Sequence, residues 1–186
     1  MAVTPSNMLP LGTQAPDFLL PDVVTSKNYK LSEQPISKAT VIAFICNHCP
    51  YVKHLLPFWV SFVRTYQAKG ISFIAISSND VENYPEDSPE KMKELALSEK
   101  FTFPYLYDET QSVAKAYEAA CTPDFYVFDS QMKCVYRGQF DDSRPQSTVQ
   151  VSGESLASAL DAILNQAPMN PSQKPSVGCN IKWKNQ

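Results

Sequence analysis

Apolar residues fall in short runs along this chain, and one run stands apart. Thr40–Ile45 (Thr-Val-Ile-Ala-Phe-Ile) is apolar and β-branched almost throughout, which predicts a buried strand. Directly after it, Val52, Leu55, Leu56, Trp59, Phe62, Val63 and Tyr66 recur at steps of three and four. That spacing predicts a long helix with one buried stripe. Lys69-Gly70 marks its C-terminus, and Ile71–Ser77 is a second strong strand. Strand, helix and strand in this order predict a right-handed parallel crossover.

The remaining elements are shorter. Asp17–Pro21 and Tyr29–Leu31, separated by a turn over Asp22–Lys27, predict a small N-terminal hairpin. Ser88-Pro89-Glu90 is a helix start, with Ser88 as N-cap and Pro89 in the first position; Met92, Leu95, Ala96 and Glu99 follow at helical spacing. Phe101–Tyr107 is extended and broken by Pro104, and Asp108 caps a short helix through Val113, Ala114 and Tyr117. Phe125–Phe128, a turn at Asp129-Ser130-Gln131 and Lys133–Arg137 form an antiparallel hairpin. Ser152-Gly153-Glu154 opens a last helix with the stripe Leu156, Ala159, Leu160, Ile163 and Leu164. Met1–Pro16 shows no periodicity. The tail from Ala167 is rich in Pro, Ser and Asn, although Ile181 and Trp183 suggest that it docks on the rest. The sum is an α/β chain with a central mixed β-sheet, helices on both faces and an N-terminal hairpin extension. One domain is expected over 1–186, with a core at about 12–165 and a C-terminal tail over 166–186.

Composition narrows the partners more than the fold. The chain has 186 residues, 44% hydrophobic and 19% charged, with a net charge of −3 and a pI near 5.4. An acidic chain without a Lys/Arg block is not expected to bind nucleic acid. No apolar run approaches the roughly 18 residues of a membrane span. Met1–Leu11 lacks the charged and apolar regions of a secretory signal, and five cysteines are an odd number for a disulfide framework. A cytoplasmic protein with mostly reduced thiols is the expectation.

Candidate chemistry gathers where the first strong strand meets its helix. Cys46-Asn47-His48-Cys49 places two thiols at Cys-x-x-Cys spacing on that junction. A helix N-terminus carries unpaired N–H groups and partial positive charge, so a thiol there ionises more readily, and the thiolate is the reactive form. Cys46, nearer the loop, is expected to attack and to titrate below a free thiol; Cys49, in the first turn, is expected to resolve the mixed disulfide. Zinc needs about four ligands, and this stretch offers one cysteine pair with His48 and His54, so no metal and no organic cofactor are expected. His54 reads as a surface or packing histidine. Cys121 reads as a small core residue or a third redox thiol, and Cys134 as packing. Cys179 reads as a quiet structural thiol or a resolving one.

Taken together, strand, Cys-x-x-Cys, helix, strand, then Thr122-Pro123 before a β-hairpin and a final helix resemble the thioredoxin fold. Ala15-Pro16-Asp17-Phe18, Cys49-Pro50 and Val135-Tyr136-Arg137-Gly138 resemble its peroxiredoxin-like branch, the alkyl hydroperoxide reductase/thiol-specific antioxidant group, over Gly12–Leu164. The resemblance implies Cys46 as nucleophile and Cys49 as resolving thiol. It implies a cis Pro123 facing them, and Thr122 presenting its backbone to an extended substrate. It implies that His48 stabilises the Cys46 thiolate, which makes the couple more oxidising. The activity implied is thiol–disulfide exchange with a protein or small-molecule disulfide and an external thiol reductant. The alternatives are a peroxidase, with Cys49 attacking peroxide, Cys46 or Cys179 resolving and Arg137 assisting, and a metal-binding or redox-sensing module without turnover. Two departures stand out. Thr40–Ile45 lacks the buried acid that thioredoxin carries before its motif, and Cys46 occupies the Thr position of the peroxiredoxin Thr-x-x-Cys-Pro pattern.

Overall fold

A computed structural model of the protein describes residues 3–185; Met1, Ala2 and Gln186 lie outside the described residues. In chain order the strands are β1 (Val3–Pro5), β2 (Leu19–Pro21), β3 (Asn28–Lys30), β4 (Ala39–Phe44), β5 (Ile71–Ser77), β6 (Tyr105–Tyr107), β7 (Cys121–Thr122), β8 (Asp124–Asp129), β9 (Cys134–Gly138) and β10 (Val177–Asn180). The helices are α1 (Pro50–Gln67), α2 (Pro89–Ser98), α3 (Ser112–Ala116) and α4 (Glu154–Leu164). Among the described residues no helix is long and apolar enough to cross a membrane.

The main sheet has the order β6-β5-β4-β8-β9. β4 pairs parallel with β5 and antiparallel with β8, so the sheet is mixed. Every residue of β4 is buried, and the pleat explains why its sequence does not alternate. Val41, Ala43 and Ile45 face one hydrophobic cluster, with α1, α2 and α4; Ile42 and Phe44 face another, with α3 and the hairpin β2–β3. Successive side chains on a strand point to opposite faces, and both faces are covered. The stripe expected on α1 is buried, with Val60 added to it.

Ser88 caps α2, its hydroxyl accepting from Lys91 N–H. The formal cap of α3 falls at Gln111, whose φ is +60°. The Asp108 carboxylate nevertheless takes the N–H groups of Val113 and Ala114, at 3.3 and 2.9 Å. Leu31 turns into a short 3-10 helix instead of extending β3. The larger difference lies at the chain ends. Both were expected to be irregular, yet β10 pairs antiparallel with β1 on one side and β7 on the other, forming a second, three-stranded sheet.

Candidate active site

Ile45 continues the sheet by one bond beyond β4, its N–H on Ile76 O at 2.9 Å. The chain then turns through Cys46-Asn47-His48 to Cys49, the N-cap of α1, with Pro50 next. Proline suits that position because its missing N–H would have no helical partner there. The turn is held by one buried carboxylate, Asp87. Its Oδ1 accepts from Asn47 N–H at 2.7 Å and His48 N–H at 3.1 Å. Its Oδ2 meets His48 Nδ1 at 2.6 Å and accepts from Asn79 Nδ2 at 2.8 Å. Burial pushes this carboxyl up, but the bonds from His48 and Asn79 outweigh it and hold Asp87 below the usual carboxylate range. Asn47 is fixed as well: it accepts from Tyr105 OH and donates to Glu86 O.

His48 therefore differs from expectation. It lies beside Cys46, but its Nδ1 is committed to Asp87, its ring stacks on Tyr84 at 5.3 Å, and its Nε2 is buried without a hydrogen-bond partner among the described residues. Cys46 Sγ, a His48 ring nitrogen and an Asp87 oxygen lie within 4.8 Å of one another, the one such group of metal-ligand types among the described residues. Three donors, two of them already bonded together, fall short of the four that a structural zinc takes.

The Thr122–Pro123 bond is cis and faces the thiols. Cys46 Sγ lies 3.3 Å from Thr122 Oγ1, and the protonated Cys49 thiol donates to Thr122 O at 3.1 Å. Cys46, Cys49, Thr122 and Pro123 are thus brought together, with both sulfurs inaccessible to solvent.

The structure reverses the titration expected of the pair. Cys49 accepts from the Cys46 S–H, the largest influence on it; burial opposes this; the Cys179 S–H and the N–H groups of Val52 and Cys179 add to it. The result holds the Cys49 thiol down to about 5. Cys46 is pushed well above an ordinary thiol by Cys49, by burial and by the Asp87 charge. The helix-terminus argument holds, but the residue at that terminus is Cys49: its sulfur meets the N–H groups, and the Cys46 sulfur does not.

The other candidates separate. Cys179 lies on Cys49 through its thiol and its N–H. Cys121 sits close by, its Sγ 3.8 Å from Pro123 O, but burial and Asp124 keep it protonated. Cys134 is a core thiol raised to about 11 by burial. Arg137 is not part of the site. It stands opposite Tyr126, whose ring faces the α3 side, whereas Cys46, Cys49 and Cys179 belong to the α1 side. Its guanidinium donates to Leu9 O and Gln173 Oε1. His54 meets Ser143 Oγ at 3.2 Å, a packing role.

Two acids were missed in the sequence. Asp87 ends a polar loop that reads as a connector. Asp124, directly after Pro123, is fully buried and raised to about 7 by burial, against the bonds from Tyr126 and Ser6. Its position beside Thr122-Pro123 was the available signal.

Comparison with curated proteins finds no match. Among solved structures, an uncharacterized conserved protein from Geobacillus kaustophilus is 57% identical, covering 100% of this chain and 98% of its own, with a TM-score of 0.97. A hypothetical protein from Sinorhizobium meliloti is 43% identical over 98% of this chain and 100% of its own, with a TM-score of 0.95. A candidate thiol:disulfide interchange protein DsbE from Chlorobium tepidum is 20% identical over 84% of this chain and 99% of its own. Its TM-score of 0.67 shows the thioredoxin-like fold alone. The AhpC/TSA family model matches residues 11–137, a span that takes in the Cys46–Cys49 turn, Asp87 and the cis proline, and on that match the chain belongs to the AhpC/TSA family.

Proposed function

We propose that this protein is a thiol–disulfide oxidoreductase working through Cys46 and Cys49. The observation that carries the reading is the contact of both sulfurs with Thr122, at 3.3 and 3.1 Å, beside the cis proline. Cys49, faced by the N–H groups of Val52 and Cys179, is the thiolate of the reduced protein and attacks the substrate disulfide. One substrate sulfur leaves with the electron pair, and the other stays on Cys49. Cys46 then gives up its proton, attacks the Cys49 sulfur and releases the second substrate thiolate, leaving the Cys46–Cys49 disulfide. Asp87 and His48, whose ligand atoms lie within 4.8 Å of the Cys46 sulfur, are placed to receive that proton. An external thiol reductant restores the dithiol, and no organic cofactor enters the cycle.

One observation favours a second reading, a thiol peroxidase. Cys49 precedes Pro50 and is the lowered thiol, and the burial of both sulfurs suits a substrate as small as peroxide. One experiment separates the two. Reduction of insulin and of a small disulfide, with dithiothreitol as reductant, is followed in parallel with hydrogen peroxide consumption in wild type, Cys46→Ser and Cys49→Ser. Exchange predicts disulfide turnover that is lost in Cys49→Ser, and a mixed disulfide that forms on Cys49 in Cys46→Ser. Peroxide turnover that survives Cys46→Ser but not Cys49→Ser selects the peroxidase. Silence in every assay removes both.

A further inference from the structure

An extended substrate adds to a free sheet edge by pairing as one more strand. In this chain the edge at Thr122 already holds such a strand. β10 runs antiparallel to β7 with Cys179 opposite Thr122, and its other side is covered by β1. The seat is close: a Cβ on Gly178 would lie 2.0 Å from Thr122 O. Past the strand, Ile181 is buried. Lys182 N–H donates to Asn79 Oδ1 at 2.8 Å, and Lys182 O accepts from Asp80 N–H and Gln111 Nε2. Held in this way, Cys179 lies opposite Thr122, whose carbonyl oxygen is 3.1 Å from Cys49 Sγ, and its thiol and N–H face Cys49. Cys49 is therefore flanked by two thiols, Cys46 and Cys179, buried with it in one cluster.

We propose that Cys179 is a third redox thiol of this site, and that the disulfide made between Cys46 and Cys49 passes on to Cys49 and Cys179. The proposal rests on the exchange reading above. In the step, the Cys179 sulfur loses its proton and attacks the Cys49 sulfur. The bond to Cys46 breaks, its electron pair leaves on the Cys46 sulfur, and that sulfur takes up a proton. One disulfide replaces another with no net oxidation, so no further oxidant is needed. Burial, followed by the Cys49 thiolate, raises Cys179 to about 12 in the reduced protein; the second cause disappears once Cys49 is in a disulfide. The product ties the tail covalently across Thr122 and returns Cys46 as a thiol.

The test removes Cys46 and supplies a small disulfide. Cys46→Ser keeps four of the five cysteines. Treated with cystamine, then acid-quenched, alkylated and mapped by mass spectrometry, it is expected to lose two of those four thiols as one internal Cys49–Cys179 pair. It is also expected to release two equivalents of cysteamine per chain, one on attack and one on resolution. A stable Cys49–cysteamine disulfide, one equivalent released and Cys179 fully alkylated overturn the proposal. Cys46→Ala is run beside it, with near-ultraviolet circular dichroism to verify the fold, so that one misfolded variant does not decide the outcome. Wild-type protein that closes Cys46–Cys49 while both variants stop at the mixed disulfide defeats the proposal and leaves the exchange reading standing. A Cys49 inert to cystamine in every form defeats both.

Discussion

Asp124 gives the sharpest quantitative prediction. Its carboxyl is fully buried and accepts from Ser6 Oγ and Tyr126 OH on Oδ2, both at 2.9 Å, while Oδ1 has no partner among the described residues. Burial raises it from 3.8 to about 7. Because the folded pKa is the higher one, the folded state holds the proton at pH values where the unfolded chain has lost it. The group's contribution is therefore at its best below about 3.8 and declines as pH rises to about 7, where it levels off. A difference of about 3 units, at about 1.4 kcal/mol each, amounts to about 4 kcal/mol across that window. Asp124→Asn keeps the size and an acceptor for Ser6 and Tyr126, but it cannot ionise. Urea unfolding of both proteins at pH 4, 5, 6, 7 and 8 checks this. The variant should nearly match wild type at pH 4 and gain on it by about 1.4 kcal/mol per unit up to pH 7, with no further gain at pH 8. A stability difference that does not change with pH refutes the reasoning, because it would mean that Asp124 does not take up its proton within that range.

Other expectations concern the site. Thiolate absorbance of the reduced protein should show Cys49 ionising near pH 5, and Cys46→Ala, which removes its largest donor, should move that midpoint upward; an unmoved midpoint would separate the two sulfurs. Asp87→Ala strips the turn of its partner at Asn47 N–H, His48 N–H and the His48 ring. It should cost on the order of 3 kcal/mol in unfolding experiments and bring the Cys46 thiol down, seen as faster alkylation at neutral pH. A cost below about 1 kcal/mol, the net value of one ordinary hydrogen bond, would count against Asp87 as the anchor. Gly178→Ala forces a methyl against Thr122 O and should cost about 1–3 kcal/mol while making Cys179 accessible to a thiol reagent; a buried, unreactive Cys179 in that variant would mean that the strand yields without leaving Thr122.

The centre of the molecule was legible because its signals are local. Ala39–Phe44 and Pro50–Gln67 announce themselves by burial pattern, and Cys-x-x-Cys at their junction needs only that junction to be meaningful. The hairpin of β8 and β9 and the start of α2 at Ser88-Pro89 are equally local. What escaped depends on contacts far apart in the chain. Asp87 lies in a polar loop, and nothing in that loop says that its carboxylate turns inward to collect N–H groups from Asn47 and His48. Val177-Gly178-Cys179-Asn180 is too short and too mixed to read as a strand, and it becomes one only because β1 and β7 lie on either side. The lowering of the Cys49 thiol rather than the Cys46 thiol escaped for the same reason. Helix position alone favours neither sulfur decisively, and one of the donors that settles the charge on Cys49 comes from Cys179, far along the chain.

The pairing of β1 with β10 also bears on how the molecule is made. It joins residues 3–5 to residues 177–179, nearly the full length of the chain, so among the strand pairings of the described residues it closes the longest loop and carries the largest closure entropy. During synthesis the main sheet and its thiol pair can be complete before Cys179 exists. A growing chain therefore passes through a stage in which the edge at Thr122 is open, and the edge closes only once β10 has been made.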